Sequence, residues 1–293
     1  MKHFAGFVNI IGNPNVGKST LMNLLVGEQL SIITSKAQTT RRSIRGIVNG
    51  EDYQIVFTDT PGILKPNYLL QEKMMKFVHT ALEDADVILF VTDVYDRFEN
   101  TEIIEKLNNI ETPIVLIINK IDLVDQEKLE KVAMEWRARL TNLSGLIPIS
   151  ALEKFNIDSI LLVIRKFLPE SPAYFPKDEL TDLSQRFFVS EIIREKIFKN
   201  YQKEVPYSTE IIVEEFKEEE TIFRIRAIIY VERESQKAII IGHRGNAIKN
   251  VGIQSRKDIE KFLGKQVFLE TFVKVKDDWR SDNRSMREFG YED

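Results

Sequence analysis

The sequence predicts an α/β domain, a mostly parallel sheet with helices on both faces, followed by a smaller α+β domain. Three observations lead to this prediction. Short Val- and Ile-rich runs alternate with helical patterns in the first half, which is typical of a parallel sheet buried on both faces. A proline-rich stretch then interrupts the pattern. Beyond it, the predicted elements follow the order α-β-β-α-α-β.

The first half contains the strands and helices of the predicted parallel sheet. Asn49-Gly50 is a hairpin signal between two strands, so we expect one antiparallel strand at the edge of the sheet. The predicted strands are Phe7–Ile11, Ile44–Val48, Ile55–Thr58, Val87–Thr92, Ile114–Ile118 and Leu146–Ile149. The predicted helices are Lys18–Val26, Leu69–Asp84, Thr101–Asn109, Glu127–Leu140 and Ile157–Phe167.

The domain boundaries follow from the interruption. We predict a first domain at residues 1–168, a stiff proline-rich linker at 169–183, a second domain at 184–277 and a tail at 278–293. The second domain is predicted to begin with helix Gln185–Asn200 and strands Glu210–Phe216 and Thr221–Val231. A helix from Ser235, a helix Asn246–Leu263 and a strand Gln266–Lys276 complete it.

Composition limits the classes of protein to consider. The chain has 293 residues and no cysteine, which excludes disulfides and thiolate metal sites and suits a reducing cytosol. Neither a signal peptide nor an apolar run long enough to span a membrane is predicted, so we expect a cytoplasmic protein. The net charge is −4, but Lys237–Lys276 holds nine basic and three acidic residues, a local charge of +6. This asymmetry favours an anionic partner for the second domain.

A phosphate-binding loop is predicted between the first strand and the first helix. Gly12–Ser19 has the two glycines, Lys and Ser of the P-loop pattern, whose backbone N–H groups surround phosphate oxygens. Lys18 is expected to reach the outer phosphates, and Ser19 is expected to ligate Mg²⁺. The residues predicted to contact the nucleotide here are Gly12, Asn13, Pro14, Asn15, Val16, Gly17, Lys18, Ser19 and Thr20.

A second motif follows the third strand. Asp59 stands at the strand's C-terminal end, where a carboxylate can hold Mg²⁺ through water. Gly62 can offer its backbone N–H to a γ-phosphate, so the segment would move when that phosphate leaves. The residues predicted to belong to this part of the site are Asp59, Thr60, Pro61, Gly62 and Ile63.

Two further motifs predict that the base is guanine. Asp122 can accept hydrogen bonds from the guanine N1 and 2-amino groups, whereas adenine would leave this carboxylate unpaired. Lys120 is expected to lie along the base, and Asn119 to connect the base to the P-loop. Ser150, Ala151 and Leu152 are expected to supply a backbone N–H to the guanine oxygen. Together the four motifs resemble the guanine-nucleotide site of a small GTPase domain.

The segment Ser31–Ser43 is expected to close over Mg²⁺ and the γ-phosphate. Thr40 is the predicted ligand and Thr39 the competing candidate. Many GTPases carry a Gln directly after the Asp-x-x-Gly motif, but Ile63 stands there and cannot orient a water. We therefore predict slow hydrolysis dependent on Lys18, Thr40 and Gly62, and a K⁺ ion bound beside the phosphates with the help of Asn15, as in similar GTPases that lack the Gln.

The second domain carries a G-x-x-G turn between two predicted helices. In a KH fold this turn clamps an RNA backbone, because its small residues let phosphates approach. The basic stretch described above supports RNA as the anion. The predicted RNA-binding residues are Lys237, Gly242, His243, Arg244, Gly245, Lys249, Arg256 and Lys257.

The whole chain resembles the bacterial Era family of GTPases. The matching segments are the P-loop, Gln38–Arg41, Asp59–Gly62, Asn119–Asp122, Glu232–Ile239 leading into the G-x-x-G turn, Trp279-Arg280 and Gly290-Tyr291. Asn13 departs from relatives, where arginine is frequent. The resemblance implies a G domain followed by a type II KH domain, with GTP/GDP and Mg²⁺ as ligands.

The resemblance also implies a role. A member would be a monomer that binds the 3′ end of 16S rRNA, not DNA, and acts as a GTP-controlled switch in 30S subunit assembly. Weak peripheral association with the inner membrane is also described for the family, although no amphipathic anchor is visible in the sequence. Three alternatives remain: an RNA-binding assembly factor whose nucleotide site is only structural, a P-loop ATPase, and a GTPase whose second domain binds protein.

Overall fold

The computed structural model describes residues 2–34 and 36–291. Its contacts divide into an N-terminal unit and a C-terminal unit. The N-terminal unit comprises Met1–Ser31, Thr40–Lys65 and Met74–Asp182. The C-terminal unit comprises Ile32–Thr39, Pro66–Lys73 and Leu183–Asp293. Two short segments from the first half of the sequence therefore group with the second half, which the sequence did not predict.

The N-terminal unit is built on a six-stranded sheet with the order β2-β3-β1-β4-β5-β6. Only β2 is antiparallel to its neighbour, so the predicted α/β fold with one antiparallel edge strand is confirmed. The strands are β1 Phe4–Gly12, β2 Ile44–Asn49, β3 Tyr53–Asp59, β4 Val87–Asp93, β5 Ile114–Asn119 and β6 Leu143–Pro148. The helices are α1 Lys18–Val26, α2 Leu69–Glu83, α3 Thr101–Asn109, α4 Gln126–Arg139 and α5 Asp158–Ile164.

The central strands are buried because their side chains are apolar on both faces. Every residue of β4 and β5 is buried. One core cluster lies between the sheet and α2, α3 and α4, and Trp136 packs within it, edge-on to Phe90 at 5.3 Å between ring centroids. The polar residues of these two strands are Thr92, Asp93 and Asn119, and all stand at the C-terminal ends of the strands. Because the strands are parallel, these ends lie along the same side of the sheet.

The proline-rich segment is not a free linker over most of its length. Residues 169–182 run along the edge of the sheet within the N-terminal unit. The buried side chain of Gln54 holds the segment, since its Oε1 accepts from the backbone N–H groups of Tyr174 and Phe175 and its Nε2 donates to the carbonyl of Phe175. The boundaries predicted for the domains remain predictions, but the contacts place this segment with the first unit.

The C-terminal unit packs helices against one face of a three-stranded sheet with the order β7-β8-β9. β7 is antiparallel and β9 parallel to β8, and the order α-β-β-α-α-β is confirmed. The elements are α6 Gln185–Asn200, β7 Glu210–Glu218, β8 Ile222–Val231, α7 Glu234–Ile241, α8 Asn246–Leu263, β9 Gln266–Val275 and α9 Asn283–Glu288.

The tail is folded onto this unit. Trp279 is fully buried and its Nε1 donates to the carbonyl of Ser208 at 2.9 Å. Tyr291 donates its hydroxyl to Glu210 Oε2 at 2.7 Å. The short helix α9 begins after Asp282, whose side chain accepts from the backbone N–H of Ser285. In residues 2–34 and 36–291, no helix has the length and apolar character that crossing a membrane requires.

Candidate nucleotide site and nucleic-acid interface

The P-loop connects β1 to α1 and depends on its two glycines. A Cβ on Gly12 would lie 2.0 Å from the carbonyl oxygen of Val91, and one on Gly17 would lie 2.2 Å from Nδ2 of Asn119. Gly17 also has φ of 99°, which glycine adopts at least cost. The loop therefore contacts β4 and β5 so closely that no larger residue fits at either position, and α1 presents its N-terminus to the loop.

Lys18 is buried inside the loop. Its Nζ donates to the carbonyl oxygens of Gly12 at 3.0 Å and Asn13 at 2.8 Å. Burial lowers the pKa of Lys18 to about 8, although the negative charges of Asp59 and Asp96 oppose that shift. A buried cation that has only carbonyls as direct partners is well suited to meet an added anion.

Three side-chain oxygens converge beside the loop. Ser19 Oγ donates to Asp59 Oδ2 at 2.6 Å and lies 3.1 Å from Thr40 Oγ1, which in turn lies 3.3 Å from Asp59 Oδ2. Asp59 is fully buried, and desolvation raises the pKa of its carboxyl group. Its second oxygen, Oδ1, accepts no hydrogen bond from the described part of the chain. A hard divalent cation such as Mg²⁺ fits this oxygen set, because it would engage the unpartnered carboxylate oxygen and the two hydroxyls.

The described residues hold no group of three or more His, Cys, Asp or Glu that could bind a metal by themselves. The Mg²⁺ site predicted from the sequence uses one carboxylate and two hydroxyls, and its remaining ligands would come from phosphate and water. The predicted ligands Ser19, Thr40 and Asp59 are thus brought together, and the backbone carbonyl of Thr39 is directed elsewhere, to Arg194.

The segment after β3 lies against the P-loop. A Cβ on Gly62 would lie 2.8 Å from the backbone nitrogen of Pro14, and the backbone N–H of Ile63 donates to the carbonyl of Gly12 at 3.1 Å. Thr60 donates its hydroxyl to the carbonyl of Ile10. Ile63 is only 4% exposed and belongs to the core cluster, so its side chain faces away from any water at the site.

The predicted base-binding residues come together at the ends of β5 and β6. Asn119 donates from Nδ2 to the carbonyl of Val16 at 2.8 Å, and its Oδ1 accepts from the backbone N–H groups of Lys120 and Ala151. Asn119 therefore connects the P-loop to both base motifs. The backbone N–H of Ala151 donates to Asn119 Oδ1 in this structure. The next residue, Leu152, is exposed.

Asp122 and Lys120 flank this position. Ser150 Oγ donates to Asp122 Oδ1 at 2.5 Å, which fixes an otherwise exposed carboxylate. Lys120 adopts φ of 60° and donates to the carbonyl of Asn15 at 2.8 Å and to Asp93 Oδ2 at 2.6 Å. Asn15 also has a positive φ, 64°.

Two acidic residues near the site were missed at the level of sequence. Asp93 pairs with Lys120, and Asp96 accepts from Asn13 Nδ2 at 2.7 Å and from Thr92 Oγ1 at 3.0 Å. Burial raises the pKa of Asp96. Their only sequence signal is that they follow a buried strand, and many acidic residues in α/β proteins do so without any role.

The G-x-x-G turn of the C-terminal unit lies between α7 and α8. A Cβ on Gly242 would lie 2.5 Å from the Cβ of Ala247, whereas Gly245 has no atom within 4 Å of that position. His243 and Arg244 are exposed at the turn, and Arg244 has φ of 51°. The turn thus presents an open backbone and two side chains capable of contacting phosphate.

A basic stripe continues from the turn along α8. Lys249, Ile253 and Lys257 are spaced by four residues and all exposed, so they share one face of the helix. Arg256 lies beside them and forms an ion pair with Glu260 at 3.4 Å. Lys237 is half-buried on α7 and lies 3.5 Å from Glu234. The structure places all the predicted RNA-binding residues on the turn and its two helices.

Comparison with known proteins shows what the chain is related to. A family model described as a 50S ribosome-binding GTPase matches residues 7–120, and a KH-domain model matches residues 193–280. GTPase Era of Alkaliphilus metalliredigens (strain QYMF) is 46% identical over 301 residues, covering 100% of both chains. The chain belongs to the Era family of GTPases. GTPase Era of Staphylococcus haemolyticus (strain JCSC1435) is 44% identical over 99% of this chain and 98% of that protein.

Solved structures of Era agree with this assignment. A crystal structure of Era in complex with MgGDPNP and nucleotides 1506–1542 of 16S ribosomal RNA matches with a TM-score of 0.94 at 39% identity, covering 99% of both chains. A variant of Aquifex aeolicus Era bound to GDP·AlF4⁻ matches equally well. Membership in the Era family confirms the predicted fold class, and it confirms that the chain is an RNA-binding GTPase with a KH domain.

Proposed function

We propose that this Era-family protein binds the 3′ end of 16S rRNA under the control of GTP and acts in maturation of the 30S subunit. GTP, GDP and Mg²⁺ are its proposed ligands, and the proposed active form is a cytoplasmic monomer. The relative crystallised with MgGDPNP and nucleotides 1506–1542 of 16S rRNA supports the proposal, because it is similar to this chain over its full length.

One observation carries the nucleotide half of the proposal. Asp59 is fully buried, and one of its carboxylate oxygens has no hydrogen-bond partner among the described residues, while the hydroxyls of Ser19 and Thr40 lie beside the other oxygen. Burying a carboxylate in this way is costly unless a cation compensates it. A structural role alone would not require such an arrangement.

The arrangement accounts for phosphoryl transfer to water. Lys18 and the P-loop N–H groups would stabilise the negative charge of the β- and γ-phosphates, and Gly62 would donate its N–H to the γ-phosphate. Ser19, Thr40 and Asp59 would hold Mg²⁺, which would neutralise negative charge that develops on the phosphates. The buried Ile63 provides no side chain to orient the attacking water, so we propose that the intrinsic turnover is slow.

Guanine selectivity rests on Asp122. Its carboxylate is fixed by Ser150, so it is preorganised to accept two hydrogen bonds from guanine. A competition experiment between GTP and ATP tests this proposal. Equal competition by ATP would favour the P-loop ATPase alternative.

The proposed RNA binding is tested with a fluorescent oligonucleotide of the 16S rRNA 3′ end. Its affinity is measured in the presence of a GTP analogue, in the presence of GDP and without nucleotide. Tight binding only with the analogue is expected. Arg244→Asn should weaken binding by about tenfold, because asparagine tolerates the positive φ but removes the charge. Lys203→Asn is the matched control, since Lys203 is exposed on the same unit with φ of 53°.

The outcomes separate the alternatives. Equal RNA affinity in all three nucleotide states would contradict the switch, and no RNA binding in any state would favour a protein partner for the C-terminal unit. RNA binding with bound GTP that is never hydrolysed would favour an assembly factor with a structural nucleotide site. We also propose that K⁺ accelerates hydrolysis through Asn15; equal turnover in Na⁺ and K⁺ buffers would exclude this.

A further inference from the structure

The segment that precedes Thr40 folds with α6 in the C-terminal unit. Residues Ile32–Thr39 group with that unit, and Thr40 groups with the N-terminal unit. Helix α6 is unusual because it is buried on nearly all sides. Its apolar residues Val189, Ile193 and Ile197 enter the core of the C-terminal unit. Its buried charged residues are Glu191, Arg194, Glu195 and Lys196.

Arg194 directs its guanidinium at two partners. The side chain is 3% exposed, and its Nε donates to Glu191 Oε1 at 2.9 Å while Nη2 bonds the other carboxylate oxygen. The remaining Nη1 donates to the backbone carbonyl of Thr39. A guanidinium is a planar fork of five donors, so a carboxylate on one edge fixes the direction of the other edge. Glu191 therefore aims Arg194 at Thr39.

In a second contact the cation belongs to the segment and the carbonyl oxygens belong to the end of α6. Lys36 Nζ donates to the carbonyl oxygens of Phe198 and Tyr201, at the C-terminal end of α6. These carbonyls lack helical partners, and the helix dipole makes that end favourable for a cation. The segment is therefore held to α6 at Lys36 and at Thr39, and the contact at Thr39 involves its main chain.

Holding the Thr39 carbonyl constrains Thr40. The carbonyl of Thr39 and the nitrogen and Cα of Thr40 lie in one planar peptide group, so a hydrogen bond to the oxygen restricts the rotation of that plane. Thr40 Oγ1 then lies 3.1 Å from Ser19 Oγ and 3.3 Å from Asp59 Oδ2. If the peptide plane turned, the hydroxyl would leave these oxygens.

We propose that Arg194 is a positioning residue for GTP hydrolysis, which holds the Thr39 carbonyl and so keeps Thr40 directed at the Ser19–Asp59 oxygens. Glu191 orients the guanidinium and Lys36 holds the start of the segment. The proposal rests on the role proposed above for Thr40 as a ligand of Mg²⁺.

A purely structural role for the Arg194–Glu191 pair makes a different prediction. Buried ion pairs contribute little net stability, but removing one partner leaves an uncompensated charge and is strongly destabilising. If the role of Arg194 were purely structural, its replacement would therefore lower the stability and all ligand affinities together. A positioning role instead predicts a selective loss at the step that needs Thr40.

The test uses the full-length protein and three substitutions. Arg194→Met removes every donor, and Arg194→Met combined with Glu191→Leu also removes the carboxylate that would otherwise be left unpaired. Arg194→Lys keeps a single donor. Lys199→Gln is the matched control, because Lys199 lies on the same helix, is 49% exposed and pairs only with Glu195 among its described contacts.

The measurements are single-turnover GTP hydrolysis, affinity for a GTP analogue and for GDP as a function of Mg²⁺ concentration, and melting temperature. The double variant is expected to lower the hydrolysis rate about tenfold or more, because a small misplacement of a positioned group is costly. It should also raise the Mg²⁺ concentration needed to bind the GTP analogue, while GDP affinity changes less than about twofold. Arg194→Lys should recover part of the rate, and Lys199→Gln should behave as the unmodified protein.

The proposal is overturned if the double variant retains the rate and Mg²⁺ dependence of the unmodified protein. It is equally overturned if GTP-analogue affinity, GDP affinity and melting temperature fall in parallel in both Arg194→Met variants. If the unmodified protein hydrolyses no GTP, the proposed function fails, and the Mg²⁺ dependence of analogue binding still decides the role of Arg194.

Discussion

At the scale of single residues, the nucleotide site is defined by a buried cation and a buried carboxylate. Lys18 and Asp59 are 6% and 0% exposed. Desolvation favours the neutral form of each group, so it lowers the pKa of Lys18 and raises the pKa of Asp59. A partner of opposite charge would therefore stabilise the charged form of each group, a phosphate for Lys18 and a metal ion for Asp59.

Replacing Lys18 with methionine should separate binding from stability. Lys18→Met is expected to weaken GTP binding by at least about tenfold, because a charge-assisted hydrogen bond is lost. The melting temperature without nucleotide should not fall, because methionine fills most of the same space and removes a buried charge. Lys131→Met is the control, since Lys131 is 62% exposed on the same unit. A large loss of thermal stability in Lys18→Met would contradict this account.

The residue scale also shows what the sequence could predict about the site. Lys18, Ser19, Asp59 and Asn119 belong to motifs whose spacing is set by the phosphate or the base, so sequence identified them. Thr40 is the ligand that the sequence predicts, with Thr39 as the competing candidate, and in the structure the Thr40 hydroxyl lies beside Ser19. Arg194 could not be found, because nothing in the sequence relates it to a loop 155 positions earlier.

At the scale of elements, the ends of the helices show how far the sequence predicts local structure. The bounds of α1, α3, α6 and α8 were predicted correctly because glycine, polar caps or changes of periodicity mark them. Helix α5 was predicted to extend to Phe167 but ends at Ile164. The sequence predicts only a tail at residues 278–293 and does not predict helix α9, because this six-residue helix depends on the packing of Trp279 and Tyr291.

The two glycines of the G-x-x-G turn should differ in their tolerance of alanine. Gly245→Ala should cost about 1–2 kcal/mol, the usual cost of a left-handed conformation, since its Cβ would meet open space. Gly242→Ala should cost more, because its Cβ would also lie 2.5 Å from Ala247. Urea denaturation of both variants measures the difference. Equal losses of unfolding free energy would show that the helices separate without cost at this point.

Tyr201 connects the end of α6 to the end of α7, and its contact predicts that the unfolding free energy depends on pH. Its hydroxyl donates to the carbonyl of Ile240 at 2.6 Å, and burial raises the pKa of Tyr201 to about 12. Tyr201→Phe should therefore lower the unfolding free energy by about 1 kcal/mol at pH 8, because the carbonyl loses its donor.

This advantage of tyrosine should shrink at alkaline pH. Between pH 10 and about 12 the unfolded chain loses the phenolic proton while the folded chain retains it, so the folded state binds more protons and its stability falls as pH rises. Denaturation of both proteins from pH 8 to 11 checks the sign. A constant difference over that range would mean that the hydroxyl is not protected in the folded state.

At the scale of the whole molecule, charge and chain path are both unevenly distributed. A chain of net charge −4 concentrates +6 in Lys237–Lys276, which sequence revealed directly because charge is additive along the chain. The grouping of Ile32–Thr39 and Pro66–Lys73 with the C-terminal unit was not predictable in this way. It results from contacts between residues far apart in the sequence.

The charge distribution predicts strong salt dependence of RNA binding. The logarithm of the binding constant should fall linearly with the logarithm of salt concentration, because each phosphate contact releases counterions. Lys257→Gln should reduce the magnitude of the slope by about one. Lys131→Gln, on the N-terminal unit, should leave it unchanged. An unchanged slope in Lys257→Gln would show that this side chain of α8 does not contact phosphate.

The two buried tryptophans have an optical consequence. The chain has only Trp136 and Trp279, and one lies in the core of each unit. Their surroundings differ, since the guanidinium of Arg139 lies 4.7 Å above the Trp136 ring, whereas Trp279 packs against Phe289. The intrinsic emission of the protein is therefore a sum of two separate reporters. Replacing either indole with phenylalanine would leave a single fluorophore through which the melting of one unit can be followed without a label.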